Sequence, residues 1–171
     1  LGERDRYVSA LGERAALALG GSDAAAAYRD LEVVLARDRQ PGRGHQLLFS
    51  VPLRQRLALA EGDDADGAEA FAEAAAVPGE RPAHPAWREV LVLEGARLLA
   101  AGQAAEALSR LEEAAPLADA RSGVEPLRRR LAASALRDLG RPAPLSAELD
   151  RDEASLLDAE ERLSRGLNPP A

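Results

Sequence analysis

A chain of 171 residues is long enough for one ordinary domain or a short repeat array. Its hydrophobic fraction is 46% but its aromatic fraction only 3%, and Ile and Thr are absent, which argues against a sheet protein. The net charge of -7 argues against nucleic acid as the main partner, and the lack of Cys excludes disulfides and thiol chemistry.

The apolar weight rests on Ala, Leu and Val. Ala and Leu lose little side-chain freedom in a helix, so composition alone predicts an all-α chain. All 22 basic residues are Arg, Lys and Met are absent, and the one Asn is Asn168, a pattern that suits a GC-rich bacterial genome. No apolar run reaches the roughly 20 residues that span a bilayer, so no membrane span is expected. Leu1-Gly2-Glu3-Arg4 has no signal-peptide core. A cytoplasmic location is expected, with a processed secreted form as the alternative. The missing initiator Met suits a processed product or a segment of a larger protein.

Glycines follow apolar helical runs at Gly21, Gly62, Gly102 and Gly140, about 40 residues apart, and organise the chain into helix pairs over about 1–37, 43–77, 85–118 and 122–165. The first pair comprises Arg4 to about Ala18 and Asp23 to about Leu35, followed by a polar loop through Pro41-Gly42. The first helix of the second pair is expected to kink or restart at Ser50-Val51-Pro52. Its second helix runs from Asp66 to Val77, and a linker, Pro78 to Pro85, leads onward.

The third pair is the most regular. Trp87 to Ala101 is apolar on several faces through Trp87, Val90, Leu91, Val92, Leu93, Leu98 and Leu99, which predicts burial on most sides. Gly102 stops it. Gln103 to Ala115 follows with Ala107, Leu111, Ala114 and Ala115 on one stripe, and Pro116 ends it. Ser122 and Glu125 form a capping box for the first helix of the fourth pair, which runs to Leu139. Asp150-x-x-Glu153 begins a more polar last helix through Leu163, suited to closing one end of a stack. Residues 1–167 are thus expected to form a single domain, with a disordered tail at 168–171.

At Leu91, Gly95, Leu98, Gly102, Ala107, Leu111 and Ala114 the third pair resembles the tetratricopeptide repeat, in which small residues let two helices approach and bulky ones fill the gap. Asp119 stands where that motif has Pro, and Glu94 replaces a usual apolar residue. The second pair keeps Gly62, Gly67, Phe71 and Ala74 but carries Gln55 at a small-residue position. The fourth keeps Ala133, Leu136 and Gly140, and the first matches at Leu11, Ala15, Ala27 and Leu31. The resemblance implies a right-handed α-solenoid of about four antiparallel helix pairs. A period near 40 exceeds the motif's usual 34, which leaves HEAT-like or unclassified helical repeats as alternatives.

Few residues suggest chemistry. Residues 61–80 hold seven acids (Glu61, Asp63, Asp64, Asp66, Glu69, Glu73, Glu80) and no Arg. Asp64, Asp66, Gly67 and Glu73 match the spacing of a calcium loop, but Gly62 occupies the leading ligand position, so a solvated acidic turn is expected. Arg128, Arg129 and Arg130 span most of a helix circumference and cannot all face one ligand. His45 and His84 lie in or beside loops without partners at metal-ligand spacing. Trp87 is expected to pack between pairs. No nucleophile elbow or phosphate-cradling loop is present, so no catalytic residue, metal ligand or cofactor is assigned.

The expected function is protein–protein interaction, with a peptide or protein segment held in a concave helical groove. The expected surface comprises Leu53, Arg56, Val92, Ala96, Leu99, Arg130, Ser134 and Arg137, an apolar floor with Arg at both ends. It suits an acidic partner with apolar side chains. The alternative is a helical-repeat segment of a larger regulatory, signalling or secretion-assembly protein.

Overall fold

A computed structural model of the chain describes residues 24–79, 83–117 and 124–143. Among these residues there are six helices and no strand: α1 (Ala24–Asp38), α2 (Gly44–Glu61), α3 (Asp64–Ala75), α4 (Trp87–Ala100), α5 (Ala104–Ala114) and α6 (Val124–Asp138). The described residues are all-α, as the composition leads one to expect. The expected helix before α1, the helix after α6, the caps at Ser122 and Asp150 and the tail lie outside the described residues.

Three of the helices end in the same way. Gly62, Gly102 and Gly140 have φ of 71°, 75° and 65°, the left-handed region that only Gly enters without strain. At each, the glycine N–H and the next N–H reach back to carbonyls of the last turn: Gly62 to Leu59 and Asp63 to Ala58, Gly102 to Leu99 and Gln103 to Leu98, Gly140 to Arg137 and Arg141 to Leu136. This paired return satisfies carbonyls that a helix end leaves open. Asp63 then starts α3, its side chain accepting from Asp66 N–H at 2.9 Å.

The fresh start expected at Pro52 does not occur, and α2 is continuous from Gly44 to Glu61 with Pro52 buried inside it. Pro52 cannot donate to the Leu48 carbonyl, a defect costing about 3 kcal/mol in a helix interior. Packing against α1, α3 and α4 offsets that loss.

Each helix packs on the next in sequence, and α2 also packs on α4 and α4 on α6. α4 therefore meets α2, α3, α5 and α6, which explains why a helix apolar all round is stable here: Trp87, Val90, Leu91, Val92, Leu93, Gly95 and Leu98 are all buried. The central cluster also takes Leu31 and Leu35 from α1, Leu47, Val51 and Leu57 from α2, Ala70 and Ala74 from α3, and Leu111 and Ala114 from α5. Phe71 of α3 stacks on Trp87 with ring centroids 6.2 Å apart, and the Arg110 guanidinium of α5 lies 5.3 Å from the Phe71 ring. Trp87 is thus a packing residue between the α2–α3 and α4–α5 pairs.

Small residues set the approach of neighbouring helices. A Cβ on Gly95 of α4 would sit 2.8 Å from Cδ2 and Cγ of Leu111 on α5, and one on Gly67 of α3 would sit 2.9 Å from Cδ of Arg97 on α4. Gly95→Val is expected to lower the unfolding free energy by about 1–3 kcal/mol, as overpacking does. In urea unfolding, adding Leu111→Ala should recover part of that loss. Strict additivity of the two changes would mean the residues are not in contact.

Candidate partner-binding face

Many charged side chains of the described residues bind one another. Arg54 of α2 is buried and faces α3. Its guanidinium donates to Asp66 at 2.7 and 2.9 Å, to Glu69 at 2.9 Å and to Glu73 at 3.0 Å. Asp66, Glu69 and Glu73 share one stripe of α3 through their spacing of three and four residues. Burial works against the Arg54 charge, but the hydrogen bonds and charges of Asp66 and Glu69 outweigh it and raise its pKa. Arg39, just past α1, donates to Glu73 from Nε at 2.5 Å and from Nη2 at 3.0 Å, and this hydrogen bonding holds the Glu73 carboxyl below its ordinary range against the effect of burial.

The same device recurs farther along. Arg97 of α4 binds buried Glu94 through two bonds of 2.8 Å and reaches Asp64 of α3 at 2.6 Å. Glu125 of α6 takes Arg88 of α4 and its own helix neighbours Arg128 and Arg129. These findings amend one expectation. The acids of residues 61–80 are not simply solvated: Asp64, Asp66, Glu69 and Glu73 face guanidinium groups of neighbouring helices. Arg128 and Arg129 are turned to Glu125.

The Glu125 pKa is lowered to about 2, mainly by hydrogen bonding from Arg128, opposed by burial and helped by Arg129. Its position in the first turn of α6 also favours negative charge. The folded pKa lies below the ordinary 4.5, so its stabilisation is complete above that pH and is lost as pH falls toward about 2. Glu125→Gln is expected to cost about 1 kcal/mol near pH 6, a figure that allows for solvent screening. The gap between variant and parent melting temperatures should narrow between pH 6 and pH 3 and close only near pH 2. A gap unchanged from pH 6 to 3 would place the loss in packing rather than charge.

Helices α2, α4 and α6 lie side by side, whereas the backbones of α3 and α5 stand farther apart and are bridged by Arg110 over Phe71. On α2, His45, Phe49, Leu53 and Arg56 fall on one stripe. His45 and Arg56 are exposed, Phe49 is 45% exposed, and Leu53 is half-buried against the core. On α4, Glu89, Ala96 and Leu99 are half-buried. On α6, Leu127, Arg130 and Arg137 are exposed, and Ser134 is half-buried. Seven of the eight residues expected at the groove therefore reach solvent at least in part. Val92 does not: it is fully buried between helices and meets no partner directly. Arg56 already binds Glu89 of α4, at 2.7 Å. His45, Phe49 and Glu89 belong to the same face and were not in the expected set. The four-residue step from His45 to Phe49 to Leu53 is their sequence signal, masked by the break expected at Pro52.

A separate cleft of about 230 Å³ lies where α2 ends, α3 begins and α4 ends, lined by Ala58, Leu59, Gly62, Asp63, Asp64, Arg97, Ala100 and Ala101. It is smaller than ordinary small-molecule sites, and Arg97 there is already bound to Glu94 and Asp64. Among the described residues no group of three or more His, Cys, Asp or Glu side chains is placed to hold a metal ion, and no helix is long and apolar enough to cross a membrane. No family model, curated protein or solved structure matches this chain.

Proposed function

We propose that the chain is a tetratricopeptide-like helical-repeat module, without catalytic activity, that binds a peptide or protein segment across the face shared by α2, α4 and α6. One observation carries this reading: alternate helices pack backbone against backbone on that side. α2 packs on α4 and α4 on α6, while α3 and α5 meet through the longer reach of Arg110 to Phe71. A layer whose members are closer on one side bends toward that side, so α2, α4 and α6 line the concave surface. A stack of helix pairs uses such a surface for binding.

The chemistry of the face supports a partner with apolar side chains and flanking acids. Phe49, Leu53, Leu99 and Leu127 offer apolar contact, and Arg130 and Arg137 offer guanidinium groups at the α6 edge. The polar clusters of the described residues join one helix to another. Ser50, for example, donates to Asp38 at 2.5 Å across the α1–α2 contact. This arrangement favours binding over catalysis.

Affinity capture from the native organism with mass spectrometry would identify the partner. Calorimetry should then show that Arg130→Ala with Arg137→Ala weakens binding about fivefold and flattens its salt dependence. An affinity and salt slope both unchanged, in a variant that keeps its helical circular dichroism, would move the binding surface elsewhere.

A further inference from the structure

His84 sits in the linker between α3 and α4 and is buried. Its Nδ1 accepts from the Ala86 N–H at 3.1 Å, and its Nε2 lies 3.1 Å from the His45 carbonyl oxygen. A carbonyl can only accept and Nδ1 is already an acceptor, so the imidazole is neutral with its proton on Nε2. The His84 ring lies 4.4 Å from the His45 ring and 4.7 Å from the Phe49 ring, centroid to centroid. The Trp87 N–H also returns to the His84 carbonyl, at 3.0 Å. At the other end of the linker, Val77 packs so closely on Gly44 that a Cβ there would lie 2.8 Å from its Cγ1. One side chain thus starts α4 and fastens it to the first turn of α2.

We propose that His84 is a proton-operated latch: the neutral imidazole holds the linker and the start of α4 on α2, and protonation releases them. A proton on Nδ1 would confront the Ala86 N–H, donor against donor. It would also place a positive charge at the N-terminus of α4, where the helix dipole opposes it. Burial first, and then the His45 charge, hold the His84 pKa below its ordinary 6.5, against the bond to the His45 carbonyl. On α4, Arg88 is turned to Glu125 and Glu89 to Arg56, and Arg43 before α2 has an interaction of its own. Among the described residues His45 is the titratable neighbour that acts on His84. With a depressed folded pKa, the latch is fully closed above pH 6.5 and opens as pH falls below it.

The chain has two histidines, so imidazole NMR can follow each separately. The neutral form of His84 should carry its proton on Nε2 and titrate below 6.5. Through that transition the exchange protection of the Ala86 amide should fall about three- to tenfold, the loss of one hydrogen bond. His84→Asn keeps an acceptor for that amide but does not titrate, so its protection should stay level over the same range. A proton on Nδ1, a midpoint at or above 6.5, or equal pH dependence in parent and His84→Asn would each overturn the proposal.

Discussion

Leu91→Ala is expected to lower the unfolding free energy by about 4 kcal/mol, in the upper half of the range for a buried Leu. Leu91 is fully buried in α4, and four other helices hem that helix in. A site fixed on so many sides collapses poorly, so most of the cavity should persist. Urea unfolding should show the midpoint falling with an unchanged m-value. Leu127→Ala gives the contrast: its side chain on α6 is 39% exposed, and its cost should stay under about 0.5 kcal/mol. Comparable losses at the two positions would mean that α4 is not the centre of the packing.

Arg54→Met should cost about 3 kcal/mol, the lower end for breaking a buried ion pair by removing one partner. Met keeps the apolar stem and removes the charge. Asp66 and Glu73 would then be left about a fifth exposed, with the guanidinium between them gone. Their partial contact with water is why the lower end applies. The loss should shrink in acid, because protonation neutralises the stranded carboxylates. Adding Asp66→Asn and Glu73→Gln to the variant should restore part of the stability, since neutralising a whole cluster costs less than breaking it. A single variant as stable as the parent would show that α2 and α3 do not need this contact.

Much of the fold was legible because its signals are local. A left-handed helix end calls for Gly, so Gly62, Gly102 and Gly140 could be placed from the sequence. The all-apolar run of α4 announced a helix with neighbours on several sides. The ion pairs were not legible in this way. Arg54 meets Asp66 across the α2–α3 contact, and Arg97 meets Asp64 between separate pairs. Nothing near either guanidinium names its carboxylate. Pro52 misled because local propensity argues for a break there, and only the three helices around α2 overrule it. That false break divided the stripe from His45 to Arg56 and hid Phe49. Val92 was placed at the surface because α4 has too little polar residue on its flanks to mark which narrow strip reaches water. His84 gave no sequence signal beyond its position before Pro85, since its role depends on the backbone of a helix 39 residues away.

The order of helix contacts also fixes how disturbance spreads. Among the described helices α1 packs on α2 alone, whereas α4 is shared by four neighbours. Thermal opening of α1 can therefore proceed without disturbing α4, but opening α4 detaches every helix that leans on it. The described helices form a branched line with α4 as its junction, and resistance to fraying grows toward that junction. Slow amide exchange should be deepest there and shallowest in α1, a gradient of local stability within one cooperative array.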